Sequence, residues 1–235
     1  MGKGWKNPLK VENANKKGAV VSKMAKEITV AARLGGGDPN ANSRLRAAIE
    51  AAKAVSVPKD TIERAIKKGT GELDDGSKIE EVMYEGYAPH QVGVLVECQT
   101  DNRARTAPDI RFIFKSHDAQ LGEQGSVQWM FERISFVEGT PPSADTDVEG
   151  EAIEVGANDV GPAKDGLASF YGNPEDLDSL QKALTARGWK IKTAEITYKP
   201  KNKTAISPEQ QKEVFEFLEA LDDNDDVAKI HTTLE

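Results

Sequence analysis

The chain has 235 residues, 38% of them apolar and 30% charged, with a formal net charge of −8, enough for one to three domains with real cores. No apolar run approaches the ~18 residues of a membrane span, the N-terminus carries no apolar signal core, and the single cysteine, Cys98, excludes a disulfide scaffold or a multi-cysteine metal site; a cytoplasmic protein is expected. The charge is divided, because residues 1–71 hold 15 Lys+Arg against 6 Asp+Glu while residues 72–235 hold 16 against 33, which puts a polyanion-facing segment on an acidic body.

Residues 1–16, lysine-rich with Trp5, read as an extended arm. From about Lys17 to Leu34 the pattern becomes helical. Val20, Met24, Ile28 and Ala31 gather within about 80° of one another on a helical wheel. Lys16, Lys23, Lys26 and Arg33 share an arc about 100° wide on the other side, interrupted by Val30. Gly35-Gly36-Gly37 ends this helix. The turn Asp38–Asn42 leads into a second helix with Leu45, Ala48, Ile49 and Ala52 on one face. Pro58 opens a third, lined by Ile62, Ala65 and Ile66 and closed by Gly69. Three short helices with brief connections predict a small bundle.

Beyond the polar linker Gly71–Lys78 the period becomes extended. Glu80–Tyr87 and Val92–Gln99 read as strands around the turn Ala88–Gln91. Thr106 with Asp109 resembles a capping box that starts a helix with Ile110, Ile113 and Phe114. Val127–Phe131 and Ile134–Val137 read as extended again, and Gly139–Ser143 as a boundary. An acidic helix around Asp147–Val155, a strand around Leu167–Tyr171, a helix over Pro174–Arg187 and a strand over Lys190–Lys199 follow. After a boundary at Pro200–Lys203 come a helix over Pro208–Leu221 and a strand over Val227–Thr233. The fold class is α+β: an N-terminal three-helix bundle, then α/β units.

Little of this carries catalytic chemistry. The glycines at 35–37 follow a helix instead of a strand and lack the Gly-Lys-Ser/Thr of a phosphate loop. His90, His117 and His231 are scattered, read as surface or helix-end residues, and have no cysteine or histidine neighbours to make a zinc site. Asp222–Asp226 lacks the glycine and the terminal glutamate of a calcium loop and reads as an acidic turn. Cys98 reads as a small buried hydrophobe. No enzyme activity, metal, cofactor or small-molecule substrate is expected. The cations are the remaining signal: Lys3, Lys6, Lys10, Lys16, Lys17, Lys23, Lys26 and Arg33, extended by Arg44 and Arg46, suit phosphate contact. Lysine is a point charge that reads backbone better than base identity.

The run Glu27-Ile-Thr-Val-Ala-Ala-Arg-Leu-Gly-Gly-Gly-Asp-Pro-Asn-Ala-Asn42, with Arg44–Ile49, Pro58–Gly71, Tyr84–Pro89, Thr100-Asp-Asn-Arg-Ala-Arg-Thr106 and Gly125-Ser-Val-Gln-Trp-Met-Phe-Glu-Arg133, resembles the YebC/PmpR family. The resemblance is dense from about 24 to 133 and looser beyond. It implies three domains, with the final helix and strand returning to complete a discontinuous middle one. The expected division is therefore 1–76 for arm and bundle, 77–137 plus 205–235 for the middle α/β domain, and 138–204 for an inserted α/β domain. Family members are described as cytoplasmic DNA-binding transcriptional regulators. Others act on translation, including a mitochondrial activator of cytochrome oxidase translation and bacterial members linked to ribosomes stalled at proline-rich stretches. The family's usual start, Gly-His-Ser-Lys-Trp and a His-Arg-Lys cluster, is reduced here to Gly4-Trp5-Lys6.

Together these readings give a non-enzymatic nucleic-acid-binding regulator that meets DNA phosphate through its arm and first helix. The alternative target is ribosomal RNA on a translating ribosome. A different class, an adaptor whose acidic body docks a protein, would leave the basic bundle as a merely solvated domain. No membrane partner is expected.

Overall fold

The computed structural model describes residues 14–73, 76, 78–164 and 166–235, with side chains at all of these except 14–17 and 162–164. In chain order the elements are helices α1 (Ala14–Gly35), α2 (Ser43–Ala54) and α3 (Lys59–Thr70), strands β1 (Glu80–Ala88) and β2 (Val92–Thr100), helix α4 (Arg103–Ser116) and strand β3 (Gln120–Leu121). Strand β4 (Phe131–Thr140), helix α5 (Val148–Val155), strands β5 (Asp159–Lys164) and β6 (Leu167–Gly172), helix α6 (Leu177–Ala186) and strand β7 (Lys190–Pro200) follow. Helix α7 (Pro208–Asp222) and strand β8 (Val227–Thr232) complete the chain. It divides into two compact units, residues 1–131 with 200–235 and residues 132–199.

In the first unit α1, α2 and α3 enclose their own core of Ile28, Ala31, Ala32, Leu45, Ala48, Ile49, Ala52, Val57, Ile62 and Ala65. Asn42 locks the first corner: its side-chain oxygen caps α2 by accepting from the Leu45 N–H at 3.0 Å. Its amide donates to the carbonyls of Ala31 and Gly36, each at 2.8 Å, so the end of one helix and the start of the next share one buried side chain. Gly69 does not close α3. That role falls to Gly71, whose φ of 79° is the left-handed cap. Gly69 instead lets α3 approach α1, since a Cβ there would stand 2.4 Å from the Thr29 carbonyl oxygen and 2.7 Å from the Ala32 Cβ. Gly69→Ala is accordingly expected to lower stability by about 1–3 kcal/mol through overpacking, read as a lower urea midpoint.

Strands run in the order β3-β1-β2-β8, each neighbour antiparallel. Side chains alternate across a strand, so Val92, Val94, Val96 and Cys98 of β2 pack on one face with Ile110 and Phe114 of α4 and Val214, Phe217, Leu218 and Leu221 of α7. Phe114 and Phe217 meet edge to face with ring centroids 4.9 Å apart. The opposite face carries Leu95, Glu97 and Gln99, and there Gln99 bonds to Glu27 of α1. The bundle and the sheet are thereby joined within one unit.

The second unit has a sheet in the order β5-β6-β4-β7. Val137, Phe170, Leu180, Leu184 and Trp189 dominate its core, with Phe170 and Trp189 edge to face at 4.9 Å. The Arg187 guanidinium clamps Glu151 through two bonds of 2.7 Å.

Residues 134–137 lie in β4 of the second sheet, and the two compact units divide after Phe131. Several expectations need correction. Residues 128–130 form a 3-10 turn in place of a strand. Helix α4 starts at Arg103 on an Asn102 cap; Thr106 is buried one turn inside, where its hydroxyl bonds to other side chains. Strands β3 and β5 were not expected. The first has two residues, and the second contains Gly161-Pro162, a pair that reads as a turn.

Candidate nucleic-acid interface

The cationic stripe of α1 is built at helical spacing on the side away from the bundle core, and the fold turns most of it inward. Lys23 donates to the Asp222 backbone carbonyl and lies 3.9 Å from that residue's carboxylate. Lys26 Nζ lies 2.5 Å from Asp226 Oδ1 and 3.1 Å from the Asp225 carbonyl oxygen. Val30, between them and Arg33 on the same stripe, is completely buried. Arg33 donates to the Ile79 carbonyl. The turn that follows α7 thus supplies the anions that answer the lysines.

Asp226 is the hub of this contact, with a side chain only 4% exposed. Besides Lys26 it accepts from the Thr106 hydroxyl at 2.8 Å and from Arg105 Nη2 at 3.0 and 3.1 Å. Burial alone would push its carboxyl up, but the hydrogen bonds from Lys26, Thr106 and Arg105, with the Lys26 charge, hold it below the usual aspartate range.

A second junction forms at the next residue of α1, Glu27. Arg44 of α2 makes a two-pronged contact with Glu27, Nε to Oε1 at 2.8 Å and Nη2 to Oε2 at 3.2 Å, and reaches Glu81 of β1 at 3.0 Å. Glu27 also accepts from Gln99 at 2.6 Å. Its burial raises its pKa, yet the bonds and charge of Arg44, with Lys229 and Gln99, bring it below the ordinary glutamate value. Because both carboxyls are depressed in the folded state, their stabilisation is complete above the ordinary carboxylate range and lost as pH falls through the folded values. Urea midpoints are therefore expected to be flat near neutrality and to drop below about pH 4.

The sequence-derived residues thus separate into groups. Lys3, Lys6 and Lys10 lie outside the described residues. Lys16 and Lys17 lie on α1, with side chains outside the description. Lys23, Lys26, Arg33 and Arg44 are held by internal acceptors. Arg46 is exposed, with one long bond of 3.5 Å to the Pro39 carbonyl. On the outer surfaces of α2 and α3, the exposed cations Lys53, Lys59, Arg64 and Lys67 alternate with exposed Glu50, Asp60 and Glu63. Residues 1–17 hold five lysines and one glutamate, an excess of positive charge. What sequence reasoning missed is Asp222, Asp226, Glu27 and Arg105; the one available signal was Val30, an apolar residue inside a face read as solvated.

The remaining candidates behave as packing. Cys98 is 1% exposed, and burial, followed by the Asp226 charge, pushes its thiol up to about 12; alkylating reagents are expected to label it only after unfolding, read by mass spectrometry. His231 is not a surface residue but is buried on β8, 2.6 Å from Glu97. His90 meets Glu213 at 2.9 Å. Among the described residues no His, Cys, Asp and Glu cluster has the makings of a metal site, and no helix is long and apolar enough to cross a membrane.

Comparison with known proteins decides the family. The TACO1/YebC protein N-terminal domain matches residues 6–72, and the TACO1/YebC second and third domain matches residues 79–234. The chain belongs to the TACO1/YebC family. It is 58% identical over 234 residues to a "Probable transcriptional regulatory protein" of Bdellovibrio bacteriovorus, covering 100% of both chains. It is 46% identical over 238 residues to one of that same name from a Polaromonas species, covering 100% of this chain and 99% of the other. A crystal structure of a conserved hypothetical protein from Aquifex aeolicus superposes with a TM-score of 0.81 at 41% identity, covering 99% of this chain and 97% of that one. The helical start followed by two mixed α/β parts is therefore the family fold.

Proposed function

We propose that this chain is a cytoplasmic nucleic-acid-binding regulator that meets DNA phosphate through its basic N-terminal arm. The observation that carries this reading is the charge excess of the first segment, set on a body of net negative charge. The name borne by its relatives points the same way. Lys3, Lys6, Lys10, Lys16, Lys17 and Arg46 are the direct phosphate ligands. Lys23, Lys26, Arg33 and Arg44 reach phosphate only by giving up their internal acceptors, and so contribute little to affinity. Binding measured by fluorescence anisotropy on labelled duplexes, with and without residues 1–17, tests the proposal; equal affinity of the two forms would refute it.

A second reading, ribosomal RNA as the target and translation as the process, draws on a specific observation. Base reading in the major groove calls for a helix presenting a free row of side chains such as Arg and Asn. The stripe of α1 is taken up internally, and α2 and α3 alternate in charge. Backbone and shape recognition suits structured RNA as well as DNA. Sedimentation of the protein with ribosomes, against promoter duplex binding at matched salt, separates the two readings.

A further inference from the structure

Outside the N-terminal region, one side chain stands in an exposed position that its surroundings take pains to define. Trp129 is 64% exposed, although burying an aromatic side chain stabilises a fold by about 1.5–3 kcal/mol. Its indole N–H donates to the Ser126 carbonyl at 3.0 Å, within its own turn. That turn is anchored from below by Glu85 of β1, a carboxylate only 3% exposed. Glu85 accepts three backbone N–H groups: Gly125 at 2.5 Å, and Val127 and Gln128 at 2.8 Å each. Gly125, with φ 87°, supplies the left-handed corner that lets the loop close over the carboxylate. Met130 fixes the far side, since its carbonyl accepts from the Lys201 N–H at 2.9 Å. The segment Lys201-Asn202-Lys203, exposed throughout, is thereby tied by its backbone to the turn that carries Trp129.

An exposed indole on an anchored turn, with a lysine-bearing segment bonded to that same turn, has a specific chemical use. Unpaired bases stack on aromatic faces regardless of identity, and neighbouring lysines hold the phosphates between them. A base inside a duplex has its faces already covered. A protein partner would gain from the apolar ring, but the two exposed lysines of the segment bonded to this turn favour an anionic polymer. We propose that Trp129, on its Glu85-anchored turn with Lys201 and Lys203 on the segment bonded to that turn, is a stacking platform for an unpaired base of a single-stranded nucleic acid. The proposal rests on the nucleic-acid reading above and adds a second point of contact, well away in sequence from the arm.

The test compares full-length wild type with Trp129→Ala, Trp129→Phe and Lys201→Gln/Lys203→Gln by anisotropy. The probes are oligouridylate, oligothymidylate and a mixed-sequence DNA duplex of equal length. Trp129→Ala should weaken binding to the single strands about 5- to 150-fold, with duplex binding unchanged and Trp129→Phe restoring most of the loss. The double lysine variant should make the single-strand salt dependence shallower by about 1.4. Comparable far-ultraviolet circular dichroism and urea midpoints across the set ensure that the fold is retained. Unchanged single-strand affinity in Trp129→Ala overturns the proposal, as does an equal loss on duplex and single strand. Wild type that binds no probe would refute the nucleic-acid reading itself, and this inference with it. Tighter binding to oligouridylate than to oligothymidylate, lost in Trp129→Ala, would mark the strand as RNA.

Discussion

Asp226→Ala is expected to destabilise the protein by about 3–5 kcal/mol, the usual cost of leaving a buried ion pair with one partner. The substitution takes from Lys26 its only carboxylate partner among the described residues and removes one acceptor each from Arg105 and Thr106. The loss should appear as a lower urea midpoint, accompanied by faster amide exchange in α1, whose contact with the turn is weakened. A companion variant, Lys26→Met with Asp226→Leu, is expected to lose much less, because paired apolar side chains replace a buried ion pair without an orphaned charge. A loss under about 1 kcal/mol for Asp226→Ala is what a solvent-exposed pair would give, and it would mean that α1 does not dock on the turn in solution.

The second large effect concerns affinity. Exchanging Lys3, Lys6, Lys10, Lys16 and Lys17 for glutamine is expected to make the salt dependence of binding shallower by about 4.5 on duplex DNA or 3.5 on single strands, one counterion term per lost phosphate contact. Lys23→Gln with Lys26→Gln should leave that slope within about 0.5 of wild type, while lowering stability. The same charge on neighbouring lysines thus has opposite consequences, because one set faces an open phosphate and the other an aspartate already in place.

How far the sequence revealed this molecule depends on the range of the contact concerned. The periodicity of Ile28, Leu45, Ile49 and Ile62 places the bundle helices and their core, since the signal lies within a few turns. The alternation in Val92, Val94, Val96 and Cys98 places β2 and its buried face. The partner of Lys26 was not legible, because Asp226 stands 200 residues away and both residues look solvated when read locally. Val30 was the exception: an apolar side chain in a cationic stripe makes sense only if the stripe is covered. Thr106 misled for a related reason, since its hydroxyl suits a helix cap but is used by a distant carboxylate. Gly69 likewise reads as a helix end until the Thr29 carbonyl is seen across from it. Trp129 was visible as part of a motif, yet its exposure follows from the Glu85-anchored turn, which brings β1 to a segment 40 residues on.

Lysine acylation footprinting by mass spectrometry, on the free protein and on its complex with nucleic acid, tests the division of the cations most directly. The account predicts that Lys3, Lys6 and Lys10 are labelled rapidly in the free protein and protected in the complex, whereas Lys23 and Lys26 are labelled slowly in both. Rapid labelling of Lys23 and Lys26 in the free protein, with protection on binding and none at the arm, would contradict it.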